Sequence, residues 1–186
     1  MLDSVSSGNG SCGFEAFGEP VLMQDCVAFE NGEAGFRTSN GGKIADCIAR
    51  FNDSMGIDGG YFSTITNCTV KHNPWGIFIG GSCHVTGNMC EGNGDGILAY
   101  EGRNEIDENH VLNVGTGIKL SATDPGLRNN LVTRNTAGNN ETNYDIAADN
   151  RYGPIIDITA AGTAAVTGDS GPDTSTTTHP WANFSC

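Results

Sequence analysis

The chain has 186 residues, 27 of them glycine, and a formal net charge of −13 from 22 acidic and 9 basic side chains. That length suits one domain with a real core, and that charge disfavours nucleic acid and anionic membrane surfaces, both of which ask for Lys and Arg. It also makes a strongly anionic polymer an awkward ligand unless a basic patch or bound cations offset the field.

The first residues, MLDSVSSGNG, have neither the basic region nor the apolar region of a signal peptide. No apolar run approaches the roughly 18 residues of a membrane span. Asn9, Gly13 and Phe14 then form a partial copy of a pattern that returns at Asn31, Gly35 and Phe36. Met1 therefore aligns with Met23 at the start of a unit, with no capping element before it. Because an uncapped repeat end exposes strand edges and core, the chain is expected to be the C-terminal part of a longer protein and a monomer within it.

Full copies follow. Met23 opens MQDCVAFENGEAGFRT, Ile44 opens IADCIARFNDSMGID and Ile65 opens ITNCTVKHNPWGIFI. Val85 opens VTGNMCEGNGDGILA, Ile106 opens IDENHVLNVGTGIKL and Val132 opens the degenerate VTRNTAGNNETNYDI. From Ile44 to Val132 the spacings are 21, 20, 21 and 26, the long step holding the insertion SATDPGLRNN. The fourth column reads Cys26, Cys47, Cys68, Asn88, Asn109 and Asn135, and the glycine column Gly35, Gly56, Gly76, Gly96 and Gly117.

Three short apolar patches per lap of about 21 residues predict an all-β, right-handed, single-stranded parallel β-helix of about seven rungs over residues 1–150. Inward columns take Ile, Val, Ala and Cys. Stacked Asn side chains are expected to bond one another and the turn backbone. The glycine column requires either φ > 0 or a place with little room for a side chain.

After Asn150 the period fails, and residues 151–186 are expected to form a capping tail on the last rung. PIIDI reads as a last strand, Thr167 to Thr178 as a loop, and HPWANF, with Trp181 and Phe184, as the cover.

These columns resemble the right-handed parallel β-helix repeat family with the pectate-lyase-like superfold, over roughly residues 4–150. The GPI…PWANF ending is similar to that of bacterial members. The resemblance implies a secreted or cell-surface protein that binds or processes a polysaccharide, as a lyase, epimerase or hydrolase. The alternative is a non-catalytic structural or adhesive solenoid within a larger surface protein. The repeat is specific for fold and not for activity. The Asp-Pro-His of alginate epimerases, the Asp-Asp and Gly-His-Gly of polygalacturonases and the calcium-site Asp cluster of pectate lyases are all missing.

The outward column after each glycine reads Arg37, Asp58, Phe78, Leu98, Lys119 and Asp145. The best local cluster is Phe78, Tyr100, Arg103 and Lys119, with the aromatics suited to sugar rings and Phe78, Tyr100 and Glu101 as the substrate-binding residues. Arg103 and Lys119 are the cations that would hold a uronate carboxylate. A lyase needs a cation to acidify the proton α to a carboxyl and a base to take it. Lys119 is the candidate base, with Asp95 or Glu101 as the alternative nearby, and Arg103 is the cation. The other reading is a solvated face with scattered apolar residues.

The seven cysteines include no C-x-x-C pair, so no metal is assigned. Cys26, Cys47 and Cys68 stack inward and read as small hydrophobes, although three thiols in line would also suit a soft metal. Cys83 and Cys186 are expected to be the exposed thiols. No cofactor is identified; calcium suits the overall charge, but no site for it is legible.

Overall fold

A computed structural model describes residues 1–18, 20–121, 129–157 and 180–186. Its described residues form no helix; the chain winds as a parallel β-solenoid of about seven turns. Each turn supplies one short strand to each of three parallel sheets.

The first sheet stacks Val5–Ser7, Val27–Phe29, Ile48–Arg50, Thr69–Lys71, Met89–Glu91, His110–Leu112 and Thr136–Gly138. The second stacks Phe14–Ala16, Phe36–Thr38, Met55–Asp58, Trp75–Ile79, Asp95–Ala99, Thr116–Leu120 and Thr142–Ile146. The third stacks Leu22–Gln24, Lys43–Ala45, Thr64–Thr66, His84–Thr86, Glu105–Asp107, Leu131–Thr133 and Arg151–Tyr152. The tail re-enters: Asn183–Ser185 pairs with Thr136–Gly138 and then with Ile155–Asp157, extending the first sheet. The expected loop from Thr167 to Thr178 and most of the insertion lie outside the described residues.

Register follows the columns. Ile57, Ile77, Ile97 and Ile118 pair Cα to Cα on successive rungs, and all are fully buried. Each such side chain contributes about 2 kcal/mol of apolar burial. The outward column pairs in the same way, from Arg37 on Asp58 to Lys119 on Asp145.

Polar ladders close the corners. At the corner between the third and first sheets, Asn109 Oδ1 accepts from the Asn88 amide at 3.0 Å, and Asn135 Oδ1 accepts from the Asn109 amide at 2.9 Å. The tail's Asn183 continues this ladder, its Oδ1 3.0 Å from the Asn135 amide. Residues just before the ladder, Asp25, Asp46, Asn67, Glu108 and Arg134, take φ near 55°. So the left-handed turns fall mostly on Asp, Asn and Glu, and the glycine column serves the other purpose, space. A Cβ on Gly76 would sit 2.4 Å from the Gly96 carbonyl oxygen, and one on Gly96 would sit 2.5 Å from that of Gly117.

Cys83 corrects one expectation. It is 2% exposed, on a third ladder, where its amide donates to Asn104 Oδ1 at 2.7 Å. Cys186 is partly exposed.

Candidate functional site

The outward surface carries two aromatic groups with different geometry. On the first sheet, Phe51 and His72 stack at 4.9 Å and 17°, and Arg50 Cζ lies 4.7 Å from the Phe29 ring centre and 5.7 Å from that of Phe51. His72 in turn covers Gly92, where a Cβ would meet its Nδ1 at 2.7 Å. Phe51 and His72 each spend one ring face on the other.

The second group lies where the second sheet turns toward the third. Phe78 and Tyr100, singled out from the sequence, come together with ring centres 6.3 Å apart, tilted by 32°. Tyr61 joins them. Its ring lies against the backbone of Gly80, where a Cβ would be 2.9 Å from Tyr61 Cε1. Its hydroxyl donates to Glu101 Oε1 at 2.7 Å, across 40 residues of sequence. That bond raises the Tyr61 pKa, so the hydroxyl stays a donor. Phe62 follows at 6.4 Å from Tyr61, 65% exposed and with φ of 54°, a conformation bulky residues avoid. Trp75, exposed on the same strand as Phe78, stands about 10 Å along it.

Tyr61 and Phe62 were not singled out from the sequence because they sit in a turn outside the outward column. A signal existed: Gly80 one rung later leaves the floor on which the Tyr61 ring rests.

The residues expected to do chemistry are dispersed. Lys119 Nζ lies 4.0 Å from Asp145 Oδ2. Asp95 Oδ1 accepts from the Thr116 amide at 2.9 Å. Arg103 occupies the left-handed turn after Glu101, with φ of 64°. Asp95 pairs with Thr116, three residues before Lys119, so Asp95 and Lys119 are about 11 Å apart at the backbone. Asp58 is held by Arg37 Nε at 3.1 Å and stands two rungs and three residues from Asp95, about 14 Å.

The cysteine column behaves as a continuation of the asparagine ladder. Cys47 Sγ donates to the Ala45 carbonyl at 3.1 Å and lies 3.6 Å from that of Met23. Cys68 Sγ donates to Thr66 at 3.3 Å and lies 3.7 Å from Ile44. Asn88 Nδ2 uses the equivalent carbonyls one rung on, Thr86 at 3.1 Å and Ile65 at 3.0 Å. Cys47 also takes a main-chain hydrogen bond from Cys26, and Cys68 one from Cys47. The contact with Cys47, and then burial, push the Cys68 thiol up; the same contact moves Cys47 the other way. Burial alone pushes Cys90 up to about 12.

A family model described as "Periplasmic copper-binding protein (NosD)" matches residues 3–156. No curated protein and no solved structure matches the chain. The described residues do not fit the copper of that description. They contain no group of three or more His, Cys, Asp or Glu side chains placed to hold a metal ion. The one in-line set of soft donors is already committed: Cys47 and Cys68 each donate to main-chain carbonyls and accept a main-chain bond. The same lack of grouped side-chain ligands among the described residues leaves calcium without support. Titrating the protein with Cu(I) against a chromophoric chelator is expected to show no stoichiometric binding that changes when Cys26, Cys47 and Cys68 are replaced by Asn. Uptake lost in that variant would reverse this assignment.

Proposed function

We propose a function from one premise: the chain belongs to the NosD family of parallel β-helix repeat proteins. The family description places its members in the periplasm, and on that ground we assign this chain outside the cytoplasm. No helix among the described residues is long and apolar enough to cross a membrane.

On this solenoid we assign a glycan-binding role to Tyr61, Phe62, Phe78, Tyr100 and Glu101. One observation carries it: the Tyr61 ring is laid on Gly80 and fixed by its hydroxyl on Glu101, beside an exposed Tyr100. Sugar rings pack on aromatic side chains with little entropy to lose when those side chains are already held. The Glu101 carboxylate supplies acceptors for hydroxyl groups. Asp58 is held by Arg37, Lys119 stands by Asp145 and Asp95 accepts from the Thr116 amide, which favours binding over bond cleavage on this face.

Affinity electrophoresis in soluble plant, bacterial and algal glycans tests the assignment. Tyr61→Ala and Tyr100→Ala are each expected to weaken retardation by about tenfold, as loss of a central aromatic anchor does. A protein that no glycan retards, or that both variants leave unchanged, would sink it and favour the structural solenoid.

A further inference from the structure

We propose that this platform selects a glycan carrying protonated amino groups, a hexosamine polymer over a uronate polymer, with an ammonium group on the Glu101 carboxylate and sugar rings on Tyr61 and Tyr100. The inference rests on the glycan-binding reading and names its ligand class.

The first reason is the donor and acceptor set. Glu101 Oε1 is occupied by the Tyr61 hydroxyl, whereas Oε2 takes no hydrogen bond from the described residues. A carboxylate beside exposed tyrosines is a surrounding that favours a cation, because an ammonium group makes a charge-assisted hydrogen bond to it. The second reason is the disposition of the cations that a uronate would need. Lys119 stands by Asp145, Arg37 is shared by Glu15, Glu33 and Asp58, and Lys71 is bound to Glu91. Arg103, two residues beyond Glu101, is the basic group nearest in sequence and opposes an incoming ammonium. The third reason is the long-range field. A net charge of −13 draws polycations to the surface and repels polyanions, whatever the local contact.

Three hexasaccharides of matched length separate the outcomes: β-1,4-glucosamine, cellohexaose and α-1,4-galacturonate, compared by titration calorimetry in low salt where the amines are charged. The expected order of affinity is glucosamine, then cellohexaose, then galacturonate. Glu101→Gln is expected to lower the glucosamine affinity about tenfold more than the cellohexaose affinity, because it deletes the charge and keeps one acceptor oxygen. Arg103→Gln is expected to strengthen glucosamine binding and leave cellohexaose unchanged.

Galacturonate binding best, or Glu101→Gln leaving the ratio of glucosamine to cellohexaose affinity unchanged, overturns the amino-sugar inference while the platform stands. Binding of none of the three, or binding indifferent to Tyr61→Ala, overturns both together. If Tyr61→Ala does not fold, Tyr61→Phe decides: it keeps the ring, frees Glu101 Oε1 and should strengthen glucosamine relative to cellohexaose.

Discussion

Replacing Asn109 by alanine is expected to cost about 4 kcal/mol of unfolding free energy, because it orphans several buried polar groups at once. Asn109 Oδ1 accepts from both the amide and the Nδ2 of Asn88, at 3.0 and 2.9 Å. Its Nδ2 donates to the Val85 carbonyl at 2.9 Å and to Asn135 Oδ1 at 3.0 Å. All of these groups are buried. Asn109→Cys provides the sharper comparison. The same column holds thiols at Cys47 and Cys68, which donate to the carbonyl two residues back, lie 3.6 and 3.7 Å from the carbonyl 24 residues back that corresponds to Val85, and take a main-chain bond. Cysteine at 109 is therefore expected to recover half or more of the alanine loss. Urea unfolding of the two variants checks this, and equal losses would show that the thiols are not equivalent to the amides.

The second large effect is expected at Gly96. A Cβ there would lie 2.2 Å from Val111 Cγ1 and 2.5 Å from the Gly117 carbonyl oxygen. The side-chain clash can move, but the carbonyl belongs to the next rung and is fixed by the ladder above it. Gly96→Ala is thus expected to destabilise by about 3 kcal/mol, at the upper end of the overpacking range. Adding Val111→Ala should recover little, since the backbone clash remains. Gly10→Ala is the control: nothing lies within 4 Å of its Cβ position, so its effect should be close to zero. A small loss at Gly96 would mean that the rungs can separate, and the glycine column would then need another reason.

Both effects concern columns that can be read by counting residues. Parallel strands in register place like on like at about 4.8 Å, so a period near 21 residues already states which side chains touch their equivalents on neighbouring rungs. That is why the isoleucine column, the outward column from Arg37 to Asp145 and the Asn ladder all stand where the repeat puts them. Phe78 and Tyr100 were legible for the same reason, being outward residues on neighbouring rungs, the first half-buried and the second exposed.

What the period does not encode is a side chain that leaves its own rung. Tyr61 spans two rungs to reach Glu101, and only the absent side chain of Gly80 permits it. Cys83 lies in a turn that reads as exposed, yet it is buried because it falls on a third ladder below Asn104. Asn183 joins a ladder from outside the repeat, 48 residues from Asn135, because the tail returns alongside Thr136–Gly138. The sequence by itself determined the solenoid, its inward columns and its polar corners, since each depends on neighbours at a fixed spacing. The tertiary structure alone decided which aromatic rings have free faces, which cations are already paired and how the thiols are used, since each depends on contacts between side chains of different columns.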